Sequence, residues 1–470
     1  MKNSLLMNLA GVLSIVLSSH SAHAQGVSAT PPADLAVRPY ITPKIQRLTL
    51  SNGLRMVVAE QHNSPLITLR LSIPIGSVND PGDQPGLASA VASQLTAGTD
   101  KYSSVQLREA IEDLGGTLTV GAGPDFTTLS ASVLSENFNA MTDLISDTLL
   151  HPTFPDSELK IYKGLQLQGL TLQRQNPGFL SQEQLARALY GKHPYSVVST
   201  TAPAVNALTS EKLSTFYKHY YVPKGAVLIV VGDIKASTAQ AQLEKALGSW
   251  RTSNQLAAND FAAPPARTAR EVILVNRPGS VQSNIVFGNL AIRRSDPDYF
   301  ALSVANVILG GGSSSRLFNN VREKQGFAYD VSSSATPRAQ AGEYTLSAQT
   351  RTDVTAPALK EMLKEEERLR SEPVGEAELK AAKSFLSGIF VIGLTSQNGV
   401  ADRLLIAEQY GLPQDYLSSY RDKVAAITSA DVQRVAAKYM QPDRAVIVVV
   451  GDADKVRDTL GQFGPLTEPK

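Results

Sequence analysis

Two stretches far apart in this chain repeat each other without a gap. The first, starting at Leu208, reads LTSEKLSTFYKHYYVPKGAVLIVVGD; the second, starting at Ile427, reads ITSADVQRVAAKYMQPDRAVIVVVGD. Tyr220 matches Tyr439, Pro223 matches Pro442, and Gly232-Asp233 matches Gly451-Asp452. Weaker echoes pair Leu129-Ser130-Ala131 with Leu346-Ser347-Ala348, and Glu158-Leu159-Lys160 with Glu378-Leu379-Lys380. The period is too long for a solenoid, whose repeats run to roughly 50 residues. A chain of 470 residues holds two ordinary domains comfortably. Two homologous domains in tandem are therefore expected, at 46–250 and 270–470. The linker is expected at roughly Arg251 to Arg270, where Asn, Ala and Pro265 replace periodic patterning.

Each half mixes helix and strand signals. Leu48 to Ala59 reads as a hairpin around the two-residue turn Asn52-Gly53, and Ile67 to Ile73 alternates as a strand. Ser103 with Gln106 forms a capping-box pattern opening a helix that stops at Gly115-Gly116. Ala226 to Val231 is a continuous apolar run, hence a buried strand. In the second half Val272–Val275 and Ser283–Leu290 read as strands, and Tyr299–Leu309 as a helix. The helix expected over Ala356–Arg370 clusters Lys and Glu, which reads as a solvated face. Hairpins alongside helices give an α+β fold class: two tandem sandwich-like units.

The first residues read as a targeting segment. Lys2 precedes an apolar run from Leu5 to Leu17, then Ser21-Ala22-His23-Ala24, the layout of a secretory signal peptide at 1–24. The alternative is a transmembrane anchor, for which the run is short. No later segment is long and apolar enough to span a membrane, so a periplasmic or secreted protein without membrane insertion is expected. Signal removal takes one of the 44 basic side chains, Lys2, leaving 43 against 43 acidic. A net charge near zero gives no electrostatic case for nucleic acid. The chain has no cysteine, which excludes disulfides, thiol catalysis and cysteine-bound metal.

Asn79 to Thr99 reads NDPGDQPGLASAVASQLTAGT. It resembles the start of the catalytic domain of the pitrilysin, insulysin and mitochondrial processing peptidase family of inverted zinc peptidases. There a Pro-Gly-Leu-Ala stretch leads into an H-x-x-E-H helix, whose histidines share one face and bind zinc while the glutamate handles protons. The matching positions here are Ser89, Ala92 and Ser93. Hydroxyls are poor zinc ligands beside imidazole, and Ala92 can move no proton. The family's third ligand is a glutamate several turns on, after the segment resembling Pro152-Thr153-Phe154-Pro155; between Leu159 and Glu183 there is no Asp or Glu. Beyond the signal the histidines are His62, His151, His193 and His219, none at ligand spacing with another. No metal site is expected in this chain.

Leu309 to Ser334 reads LGGGSSSRLFNNVREKQGFAYDVSSS and resembles the family's second half-site. The family's arginine near a helix end and tyrosine on the next strand match Arg322 and Tyr329, with Gly326 as the expected helix terminator. The resemblance implies that both donate toward the negative charge that forms on the scissile carbonyl oxygen. The alternative for the pair is structural: Arg322 bound to a carboxylate, Tyr329 a core aromatic. Gly310, Gly311 and Gly312 read as a tight turn capped by Ser313 or Ser314, or as a substrate-handling loop. No Gly-Lys-Ser/Thr follows, so this is no phosphate loop.

The resemblance spans about Arg47 to Asp452 and implies a chain inactive alone: the non-zinc subunit of a heterodimeric zinc endopeptidase. Its partner would be a zinc-bearing homologue, its substrates peptides, and zinc would sit in the partner. The other expectations are a non-catalytic scaffold and a peptide-binding protein of the same fold.

Overall fold

The apolar runs ending at Gly232 and Gly451 become the buried central strands of two six-stranded sheets. The computed structural model describes residues 43–251 and 261–469. The expected signal peptide and residues 252–260 of the expected linker lie outside the described residues. The first sheet comprises β1 (Ile45–Thr49), β2 (Arg55–Glu60), β3 (Leu66–Ile73), β4 (Thr117–Ala122), β5 (Thr127–Leu134) and β6 (Val227–Gly232), in the order β1-β2-β6-β3-β5-β4. The second comprises β7 (Glu271–Asn276), β8 (Gln282–Ala291), β9 (Ala328–Thr336), β10 (Gly342–Arg351), β11 (Val446–Gly451) and β12 (Leu466–Thr467), in the order β12-β7-β11-β8-β10-β9. In each, a parallel pair (β2 with β6, β7 with β11) is followed by antiparallel neighbours out to a free edge, β4 or β9; on the other side β1 pairs antiparallel with β2, whereas the short β12 pairs parallel with β7. The repeat read in the sequence is thus a repeat of topology.

Eight helices join the first strands: α1 (Leu87–Gln94), α2 (Ser104–Asp113), α3 (Phe138–Leu150), α4 (Asp156–Gln175), α5 (Pro177–Tyr190), α6 (Ala202–Asn206), α7 (Ser210–Tyr220) and α8 (Ala236–Leu247). The second half adds α9 (Tyr299–Leu309), α10 (Thr355–Ser371), α11 (Glu376–Gly393), α12 (Gln397–Gln409), α13 (Tyr416–Ala425), α14 (Ser429–Tyr439) and α15 (Ala453–Leu460). Among the described residues no single helix is long and apolar enough to cross a membrane; α11 and α12 pass that test only as a pair bent by 112°.

The halves exchange helices. α5, from the first half, packs on β8 and β11 of the second sheet, and α12, from the second, packs on β3 and β6 of the first. Under α5, Leu185, Ala186, Leu189 and Tyr190 join Ile273, Val286, Val446 and Val448 in one buried cluster. Under α12, Arg70 reaches Asp402 at 2.9 Å and Asn398 at 2.9 Å, and Gln409 donates to Ser72 at 2.9 Å. Both sheets therefore have their second face covered by the other half of the chain.

Local signals translate directly in several places. Ser103 and Gln106 form the capping box of α2, Gly115 follows its end at φ +60°, and α9 occupies the expected residues. At the end of β6, Gly232 sits at φ +149° with room for no side chain, because a Cβ there would lie 2.2 Å from the Leu66 carbonyl oxygen. The first hairpin forms, but Asn52-Gly53 is not a two-residue turn. Leu50 N–H donates to Leu54 O at 2.9 Å, so the loop is wider, and Asn52 instead ties it to the carbonyls of Leu247 and Trp250.

The Lys/Glu-rich helix α10 corrects the reading of a wholly solvated face. Glu365 and Glu366 are both buried. Glu365 accepts from Asn320 at 2.7 Å and from Arg368 at 3.0 Å. Neither carboxyl oxygen of Glu366 has a partner among the described residues. Burial pushes its pKa from 4.5 up to about 8, against the weaker pull of Arg370 and Arg270. A carboxyl whose folded pKa is raised adds stability below its unfolded pKa, and that stability drains away as pH rises toward the folded value. Wild type should therefore lose stability between about pH 5 and about pH 8 in excess of Glu366→Gln. Scanning calorimetry across that range should show the gap close by at least ~1 kcal/mol, about one degree in Tm for a chain of this length.

Candidate functional site

The segment after α9 builds the second-half site. Gly310 ends α9; its carbonyl accepts from Ser333 N–H on β9 at 3.1 Å, and a Cβ on it would lie 2.4 Å from that nitrogen. A Cβ on Gly311 would lie 2.8 Å from Val307 Cα. Close packing explains both glycines. Gly312 stands in the wall of a 420 Å³ cavity with Val307, Ile308, Ala381 and Phe385. Ser315, rather than Ser313 or Ser314, accepts from Phe318 N–H at 3.4 Å.

Residues Phe318–Lys324 then form a π-helix, shown by the bond from Gln325 N–H to Asn320 O at 2.9 Å. It stops at Gly326, which takes φ +63° and donates to Arg322 O at 3.0 Å. β9 begins two residues later and carries Tyr329. The structure brings Arg322 and Tyr329 together: the guanidinium carbon lies 4.6 Å from the Phe318 ring centroid and 5.2 Å from that of Tyr329. Tyr329 is 80% exposed, so it is not a core aromatic. Arg322 also has Glu323 at 3.5 Å, a contact between exposed side chains that fixes little. The sequence reading missed Phe318 and the π-helix; aromatic, arginine and tyrosine at 318, 322 and 329 were the available signal.

In the first half, α1 is a sound helix. Asp80 accepts from Gly86 N–H at 2.6 Å and Ala88 N–H at 2.7 Å at its start. Burial raises the Asp80 carboxyl to about 6, and those two bonds pull it back only partly. Ser89 is half-buried, Ala92 fully buried and Ser93 exposed. The next candidate helix, α4, has no carboxylate after Glu158. Glu183, on α5, is buried and held by Arg174 at 2.6 and 2.8 Å and by Arg187 at 3.1 Å. Among the described residues no three of His, Cys, Asp and Glu are placed to hold a metal ion.

Two family models match the chain, and the second begins within its first half. Residues 55–200 match the insulinase (peptidase family M16) model, and residues 207–386 match the peptidase M16 inactive domain. The chain belongs to peptidase family M16. An uncharacterized zinc protease of Streptomyces coelicolor is 26% identical over 88% of this chain and 91% of its own length. A crystal structure described as a peptidase M16 inactive domain from Pseudomonas fluorescens superposes with TM-score 0.82 at 29% identity, over 87% of this chain and 98% of that one. The periplasmic protease PqqL from Escherichia coli shares the fold at TM-score 0.76 and 19% identity, over 90% of this chain and 47% of its own.

The zinc of peptidase family M16 does not fit the residues present on α1: two hydroxyls and a buried methyl offer no imidazole and no base. The four described histidines of this M16 chain are engaged elsewhere. His62 bonds Asp233 at 2.6 Å, and His151 lies 3.7 Å from Asp100. His193 is buried, accepts from Tyr195 N–H at 3.1 Å and meets Gln340 at 3.3 Å, which joins the halves. Burial lowers its pKa. His219 stacks edge-on against Tyr220 at 4.4 Å. Restoring two imidazoles one turn apart, by Ser89→His with Ser93→His, should create zinc binding where wild type shows none. A chelator-competition titration should find it at least ~tenfold weaker than after a glutamate is also placed on the facing side of α4, since structural and catalytic sites need three or more protein ligands.

Proposed function

We propose that this chain is the non-zinc subunit of an exported heterodimeric M16 metallopeptidase, to which it contributes Arg322 and Tyr329. The observation that carries the proposal is the pair itself: a largely exposed phenol and a half-buried guanidinium held side by side over Phe318. A phenol O–H and a forked guanidinium are the donors that a peptide carbonyl needs as it acquires negative charge. Arg322 binds and orients the chain, and Tyr329 donates to the developing oxyanion. Of the three glycines before this helix, the space beside Gly310 and Gly311 is filled by the chain's own backbone, and Gly312 is the one proposed to let a peptide backbone pass close by. Zinc belongs to the homologous partner, because α1 lacks its ligands. The likeness to an inactive-domain protein and to a periplasmic protease supports the reading, as does the signal-like start at 1–24.

A second reading, peptide capture without cleavage, is favoured by a different observation. α4 exposes Ile161, Leu165 and Leu172, and α11 exposes Phe385, Ile389 and Ile392. The offset relating Glu158 to Glu378 also relates Leu165 to Phe385 and Leu172 to Ile392. Repeated apolar stripes suit an unfolded peptide as well as a partner.

Co-expression with a zinc-bearing homologue from the same cell separates the readings. Cleavage of a quenched fluorescent peptide should require this chain and fall about a hundredfold with Arg322→Ala or Tyr329→Phe, while co-purification is unchanged. A partner that cuts equally well alone would sink the shared-site reading.

A further inference from the structure

The helix that would carry the metal motif ends beside a cavity that the shared-site reading does not use. The cavity has a volume of 590 Å³ and lies between the end of α1, one face of α2 and the first residues of β4. Its floor is apolar, from Leu107, Ile111 and Leu118. Gln94, the last residue of α1, lines it and is 5% exposed. Its side-chain oxygen Oε1 has no hydrogen-bond partner among the described residues. A buried amide left unpaired is expensive, and a ligand that supplies the missing partner recovers that cost. Arg108, Glu112 and Glu158 also line it, one basic group and two acidic, with the Glu158 carboxylate already accepting from Ser104 at 2.8 Å, so the mouth disfavours an anion.

We infer that this pocket receives an amide side chain, glutamine or asparagine, from a bound polypeptide. An amide is the group that both donates and accepts, so it complements Gln94 whichever way the Gln94 amide is turned. Its methylene stem suits the apolar floor, and it brings no negative charge to a mouth that already holds two carboxylates. The hydroxyl of Ser93, at a position the family fills with a zinc-binding histidine, lies on the same wall. The helix without its metal ligands thereby becomes a recognition element for one side chain of a bound peptide.

The absence of cysteine provides a clean reporter. Ser93→Cys introduces a single thiol at the pocket mouth, and its maleimide reaction rate is followed on the chain without any partner. The probes are acetylated, amidated hexa-alanine peptides carrying one Gln, Glu, Lys or no substitution. The Gln peptide should slow labelling saturably, with half-protection at a concentration about tenfold below that of the unsubstituted peptide. Adding Gln94→Leu should erase that tenfold preference. Equal protection by all four peptides, or by none, overturns the inference and leaves the cavity to solvent; preference for Glu or Lys overturns the assigned ligand. If Gln94→Leu does not fold, the four-peptide comparison on Ser93→Cys alone still decides. Zinc and the partner are absent from the measurement, so its failure is distinct from failure of the shared-site reading.

Discussion

The reciprocal packing of α5 and α12 is the constraint on which the rest of the molecule depends. Each sheet has a face that its own half leaves open, and each is closed by a helix that belongs to the other half. The strands β6 and β11 are buried along their whole length, which a sheet covered on one side alone would not permit. Neither half is then a complete hydrophobic core. The exchange also fixes α1 of the first half relative to the π-helix of the second without any flexible joint in the contact.

Much of this was legible because it is local. A capping box, a glycine with positive φ after a helix and an apolar run of strand length each act within a few residues, and α2, Gly326 and β6 followed from them. The exchange was not legible. The apolar stripe of α5 says that one face is buried, but a stripe carries no address, and the nearest sheet in sequence is the wrong one. The buried pair Glu365 and Glu366 failed for the same reason: charge alternation predicts an exposed face only when nothing packs on it, and both α14 and the π-helix pack on α10. The hairpin turn was misjudged because Asn52 found better partners in carbonyls far along the chain than in its own turn.

For the candidate site, the residue types were readable and the geometry was not. Arg322 and Tyr329 stood out in a matching segment, yet nothing in their spacing says that the connecting helix is π-wound or that Phe318 would lie under the guanidinium. A π-helix is less favourable than an α-helix of the same length and tends to survive where a site needs its phase. Here it leaves Arg322 over two aromatic rings, a contact that holds a long flexible side chain without neutralising it. The charge stays available to a ligand.

The two halves also differ in what their sites cost the fold. On α1 the family's catalytic glutamate position is Ala92, fully buried, and the helix packs through Ala88, Val91 and Leu95 with its first turn bound by Asp80. A small residue there is compatible with a closed core, so loss of the metal site carries no stability penalty and needs no compensation elsewhere. Tyr329 is the opposite case. A largely exposed aromatic on an edge strand returns little burial energy and leaves apolar surface in water. Stability explains the alanine and does not explain the tyrosine; the proposed peptide carbonyl, brought within reach of its hydroxyl by a partner that holds the metal, would.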